Sequence, residues 1–333
     1  QFDASIDSPW NVGVGGSIGG QLKAAVGDKA RASGPFSFVS GPILFFPLVC
    51  AFAFNALTYR RQSPWFLTAL AAGACILAIP VAISRSLLMA MLITTLCFFV
   101  NVLFRPRLFP AGMKTGILVL LGLLVIGATR LYQEASGYLG QRWTEASMSG
   151  KGFFANVVDR FLGEISIPWN FFTDVPVFGA GLGVGTSVGA QLLTGKIQYL
   201  IAEGEWARIM LESGPLLGLA FIAVRIAIVF IGFNRSLQSL RIRNDLLPMV
   251  LWSACVLNIL SGQWGPPTSL GFAALGGGLV LAACRPVPRE SEPVRRFVEE
   301  PAMVGAGSSP PAPSTGGEAA SGKPAGPALM PAE

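Results

Sequence analysis

In this chain of 333 residues 52% are apolar, 13% are charged and none is histidine, which excludes an ordinary soluble globular domain. The formal net charge of +6 lies in short segments between apolar runs, so it reads as membrane topology rather than a nucleic-acid-binding face. Without histidine or paired-cysteine spacing, metal ligation is poorly supported, and neither a metal nor a cofactor is expected.

Residues 1–37 are polar and rich in Gly and Ser, and are expected to form an extracytoplasmic loop. Gln1 begins the chain with no signal-peptide pattern, so the sequence is expected to continue a longer protein with membrane helices upstream. Apolar runs follow at about 38–58, 65–83, 86–104, 115–131, 209–233, 247–261 and 267–283. At 1.5 Å per residue they cross, or nearly cross, a hydrocarbon core of about 30 Å. The spacing predicts seven helices, four in 38–131 and three in 209–283. The five cysteines all fall in or at the end of these runs, which argues against a disulfide framework.

Lys and Arg fix the expected orientation. Arg60 and Arg61, then Arg105, Arg107 and Lys114, then Arg235, Arg241 and Arg243, and last Arg285, Arg289, Arg295 and Arg296 occupy alternate connections and the tail. That side is predicted to be cytoplasmic. The long connection 132–208 is then extracytoplasmic, and 284–333, dominated by Pro, Gly, Ala, Ser and Glu, is a disordered cytoplasmic tail. The fold class is all-α: a polytopic transmembrane helix bundle with a large extracytoplasmic loop containing short helices.

Within that loop, Phe154, Val157, Val158, Phe161, Leu162 and Ile165 recur at helical spacing, which suits a helix on the membrane surface or a plain packing helix. Gly179, Gly181, Gly183 and Gly185 are closely spaced, but neither the spacing nor the context is that of a dinucleotide fingerprint, and a flexible or tight turn is expected. The densest charge is Glu203, Glu205, Arg208 and Glu212 around Trp206, at the expected outer interface and leading into an apolar helix. Arg208 can reach Glu205 and Glu212 at i−3 and i+4. Arg225, deeper in the run, is expected to snorkel toward the cytoplasmic side. Arg31, Arg85, Arg130, Arg142, Arg160 and Arg208 are the arginines of the outer side, each able to bind phosphate bidentately or to form a surface ion pair.

Ala202-Glu203 through Gly214-Pro215-Leu216-Leu217-Gly218 resembles the helix-start motif of the bacterial O-antigen ligase and O-antigen polymerase superfamily. There an acidic residue or histidine precedes an aromatic, apolar residues and Glu-x-Gly. Arg31-Ala32-Ser33-Gly34-Pro35-Phe36, Ser84-Arg85 and the segment from Val175 to Gly183 resemble further stretches of the family, so the likeness spans 31–283. Lipid A ligases of the family typically carry a histidine where Glu203 stands, which favours a polymerase or a relative serving exopolysaccharide export or protein glycosylation.

The resemblance implies a metal-independent glycosyltransferase of the bacterial inner membrane. Its donor would be a glycan on undecaprenyl or another polyprenyl pyrophosphate, and its acceptor a hydroxyl of a glycan, lipid or protein, with polysaccharide export proteins as possible partners. The departing pyrophosphate needs cationic donors, and the acceptor needs a carboxylate to take its proton. Glu203 is then the expected base, Glu205 the partner of Arg208, and Arg208 a donor to the leaving group. Arg31, Arg85, Arg160 and Trp206 are expected to bind substrate. A ligase of lipopolysaccharide or protein O-glycans is the neighbouring alternative. A polytopic transporter or non-catalytic scaffold is the distant one, favoured if a polar path lined by Arg225 crossed the bundle.

Overall fold

A computed structural model describes residues 35–36, 40–59, 64–147, 176–184, 189, 191–192, 195 and 204–285. Helices α1 (Ser40–Thr58), α2 (Trp65–Val81), α3 (Arg85–Leu103), α4 (Phe109–Gly127), α5 (Arg130–Ser147), α6 (Glu205–Arg243), α7 (Leu247–Ser261) and α8 (Pro267–Cys284) follow in order, with a 3₁₀ turn at Pro106–Leu108. Among the described residues there is no strand. Each apolar run is helical, as hydrocarbon requires, because only a helix satisfies its own backbone without a neighbouring chain. Five helices are long and apolar enough to cross a membrane, and α2 and α7 are shorter apolar helices. The 154–165 pattern and the tail lie outside the described residues.

The core forms where α1, α3 and α7 meet, with α6 and α8 against α7. Phe54 of α1 stacks on Phe98 of α3 at 4.5 Å. Leu87, Leu251 and Ala51 are fully enclosed nearby. Helix α4 is peripheral, and its Leu118, Leu121 and Leu124 face outward, as side chains against lipid do.

The two ends of the bundle differ in chemistry. At one end Arg105, after α3, donates to the Asn244 side chain and to the Leu240 carbonyl at 3.0 Å each. Arg243 there donates to the carbonyls of Ala283, Cys284 and Arg285, closing the C-terminus of α8. This is the basic end. The opposite end holds the start of α3, the end of α7, the start of α8 and the first turns of α6.

Helix α6 is two arms, not one rod. Gly214 has φ of 78° and interrupts the helix between 205–213 and 215–243. The arms then lie side by side, in register about that glycine. Met210 packs against Gly218, Trp206 shares a buried cluster with Ile222, and Glu205 meets Arg225. A Cβ at Gly218 would stand 2.9 Å from Met210 Sδ and 3.0 Å from its Cα, so glycine permits this approach. The turn is an αα-hairpin with almost no loop.

Its cause is local. Pro215 has no amide to give Leu211, and the positive φ at Gly214 carries the chain out of the helix, so carbonyls near the break lose their helical donors. The glycine-rich segment supplies replacements: Ala180 N donates to Leu211 O at 2.9 Å and Gly181 N to Glu212 O at 3.0 Å. A Cβ at Gly179 would collide with the Glu212 carbonyl, and one at Gly214 with the Val177 carbonyl. Gly179 and Gly181 themselves take φ of 73° and 108°. The expected turn is therefore a docked one.

Gly214→Ala places a side chain in the left-handed region, costing about 1–2 kcal/mol, and drives it into the docked segment. The variant is expected to lose at least that much stability in denaturant titration of the purified protein in mixed micelles. Gly127→Ala, in open space at the end of a helix, should not lower the midpoint.

Candidate functional site

The first arm of α6 brings its charges down beside the second arm. Glu205 is 1% exposed, and its Oε2 accepts from Arg208 Nε at 3.0 Å and Nη2 at 2.7 Å. Its Oε1 accepts from the Trp264 backbone at 3.1 Å and stands 3.5 Å from Arg225 Nη1. One carboxylate thus joins both arms and the α7–α8 turn. Arg208 also lies 3.6 Å from Glu212, so the i−3 and i+4 contacts both form. Glu205, Glu212 and Arg225 are the buried charged side chains among the described residues, and all belong to this cluster.

Arg225 corrects the expectation that it snorkels to the cytoplasmic side. Its side chain is wholly buried and turns toward the Glu205 end. Nε donates to Ile259 O at 2.8 Å, and Nη2 donates to Asn258 O at 3.3 Å and Gly262 O at 2.5 Å. The direction follows from geometry, because helical side chains lean toward the N-terminus and the C-terminus of α7 presents free, partially negative carbonyls. Trp264 covers the guanidinium at 4.1 Å from ring centroid to Cζ, with Phe221 at 5.8 Å.

The α7–α8 turn, 262–266, forms one wall. Asn258 Nδ2 donates to Ser269 O at 3.0 Å, and Asn258 O accepts from Trp264 Nε1 at 3.1 Å. Trp206 Nε1 donates to Leu260 O at 2.8 Å, fixing the first arm to α7. The Arg208 guanidinium lies against Gly265, where a Cβ would stand 3.4 Å from Nη1. Arg208 is the solvent-reachable cation of the group, with 15% of its side chain exposed.

The cluster also lies at a different level of the bundle from the α6 break. From Pro215 to Arg235 the second arm rises about 30 Å, the thickness of a hydrocarbon core. Helix α7, starting at the basic end, has 15 residues and rises only about 22 Å. The α7–α8 turn and the cluster against it are therefore recessed below the level of the break.

Of the expected site residues, Glu205, Arg208 and Trp206 come together here. Arg85 stands at the same end, half-buried at the start of α3, and no hydrogen bond or ion pair joins it to the cluster. Before it, Ile83 is a buried β-branched residue with φ of 45°, an uncommon conformation, and Ser84 caps α3 by accepting from Leu87 N. Glu203, Arg31 and Arg160 lie outside the described residues. Arg225, Trp264, Asn258 and Gly262 were not singled out as site residues from sequence. Their partners are distant along the chain, though an arginine inside an apolar run is itself the available signal.

The apolar helices define a multi-pass membrane protein, with one buried ionic cluster among the described residues, near one end. The chain matches no family model, no curated protein and no solved structure.

Glu205→Gln leaves Arg225 buried without its carboxylate, and breaking such a pair costs about 3–5 kcal/mol. Unfolding in mixed micelles is expected to shift by that order. Adding Arg225→Met should return part of the loss by removing the uncompensated cation; a Glu205→Gln protein as stable as the parent would contradict this role.

Proposed function

We propose that this protein is a membrane-embedded, metal-independent glycosyltransferase that polymerises a polyprenyl-pyrophosphate-linked glycan on the outer face of the bacterial inner membrane. O-antigen or exopolysaccharide is the product class. The carrying observation is Arg208: a part-exposed guanidinium held by a buried carboxylate, at the end of the bundle opposite Arg105 and Arg243. A lipid diphosphate lies at the headgroup level of that end, and a preorganised guanidinium within its reach stabilises its departing charge without reorganising.

In this reading the acceptor hydroxyl attacks the anomeric carbon, the bond from that carbon to the pyrophosphate oxygen breaks, and the pyrophosphate leaves on the polyprenyl chain. The proton passes to the Glu203 carboxylate. Arg208 donates to the leaving oxygens, while Glu205 and Arg225 hold it in place. Arg31, Arg85 and Arg160 are proposed to contact the diphosphate or its first sugar, and Trp206 to support the donor's side of the recess. Residues 1–37 and the connection before α6 would lie outside and the tail inside. Polysaccharide export proteins would be its partners. Ligation to a lipid or protein acceptor uses the same chemistry. Transport is less favoured, because among the described residues no buried charged side chain continues from Arg225 toward the basic end.

Transfer is to be measured with purified protein and a lipid-linked repeat unit. Glu203→Gln should lower the rate about 10²–10⁴-fold, the usual contribution of a general base. Arg208→Lys keeps the charge but loses the fork, and should lower it about 10²-fold. Long chains absent from a deletion strain, with single repeats retained, indicate polymerisation; long chains present but unattached indicate ligation. Near-normal transfer by both variants would overturn the assignment.

A further inference from the structure

The segment that repairs the α6 break carries a row of uncovered apolar side chains. Val177 is 60% exposed, Phe178 75% and Leu182 85%, although the backbone between them is fastened to the helix. Gly179 N donates to Pro176 O at 2.8 Å, Ala180 N to Leu211 O and Gly181 N to Glu212 O. Three successive amides are thus satisfied by protein acceptors, the condition under which irregular backbone is tolerated at membrane depth. Beside the break, Leu216 and Leu217 are 65% and 54% exposed and belong to the lipid-facing surface of the second arm. From Val175 to Gly195 the chain has no charged residue.

We propose that the tip Val177–Leu182 is inserted into the acyl-chain region of the leaflet on the cluster's side, as a lipid-anchored cap on the break of α6. Two lines set its depth. The break lies about 30 Å along the second arm from Arg235, one hydrocarbon thickness from the basic end. The tip is bonded to Leu211 and Glu212, which lie on the arm folded back toward the bilayer centre. Its apolar side chains therefore continue the surface of Leu216 and Leu217 rather than standing clear of the membrane. An exposed aromatic between aliphatic neighbours fits hydrocarbon just below the headgroups. Lipid contact also stabilises the docked form, because undocking would bare the Leu211 and Glu212 carbonyls in a poorly hydrated region.

The inference needs only the membrane-embedded fold and is independent of glycan chemistry. Phe178→Cys and, separately, Leu182→Cys are placed in the full-length chain with its native cysteines replaced by alanine. Each is labelled with an environment-sensitive fluorophore and reconstituted into phosphatidylglycerol–phosphatidylethanolamine vesicles. Insertion predicts emission at shorter wavelength than from the same dye in buffer. It also predicts several-fold stronger quenching by lipids carrying a nitroxide near the headgroup than by aqueous iodide. Strong iodide quenching would place the tip in water and overturn the proposal. Protection from both quenchers would mean that protein covers the tip, and would overturn it equally. If one substitution prevents folding, the other reads the same surface, and transfer activity does not enter either readout.

Discussion

A helix that reverses direction inside a membrane leaves carbonyls without amides, and hydrocarbon offers them no water. The fold turns on how that deficit is met at Gly214 and Pro215. Proline removes one donor, glycine supplies the reversal, and Ala180 and Gly181 from the preceding connection provide amides in their place. The same event explains why Gly179 and Gly214 cannot carry side chains, since each lies where two backbones approach too closely for a Cβ, and why Gly218 sits tightly against Met210 of the other arm. The arms gain little from water exclusion, since lipid is as apolar as their partners, and are held by close packing and hydrogen bonds.

Arginine is used repeatedly for one physical task. Arg225 closes the C-terminus of α7, Arg243 that of α8, and Arg105 the last turns of α6. Helix C-termini carry partial negative charge on unpaired carbonyls, and a guanidinium answers several at once. Arg105 and Arg243 do this at the basic end, near water. Arg225 does it while buried, where an isolated cation is costly, and Glu205 and the Trp264 face compensate. Glu205 then leaves Arg208 as the cation with remaining access, so the deepest structural contact and the proposed chemistry share one carboxylate.

The helical runs were legible because their signal is local: hydrophobic length sets a helix in lipid, and all seven runs are helical. The pairing of Arg208 with Glu205 was legible for the same reason, through i−3 spacing. The fold-back was not. Hydropathy does not register direction, and an apolar run from Ile209 reads as one rod although Ser213-Gly214-Pro215 lies near its start. Once the arms fold, Glu205 moves from the surface to the level of Arg225, and the expected snorkelling of that arginine reverses. Trp264 and Asn258 enter through contacts that no spacing rule reaches. Trp264 also brings the backbone amide that Glu205 accepts, which sequence pattern does not reveal.

The direct test of the fold-back is a distance between spin labels at Ile209 and Ile242 in the full-length protein in lipid nanodiscs, measured by pulsed dipolar spectroscopy. An uninterrupted helix would separate the two backbone positions by about 50 Å at 1.5 Å per residue. With the first arm folded beside the second, the separation falls to about 35 Å. A distribution centred near the shorter value supports the hairpin and the recessed cluster built on it. One centred near the longer value would contradict both.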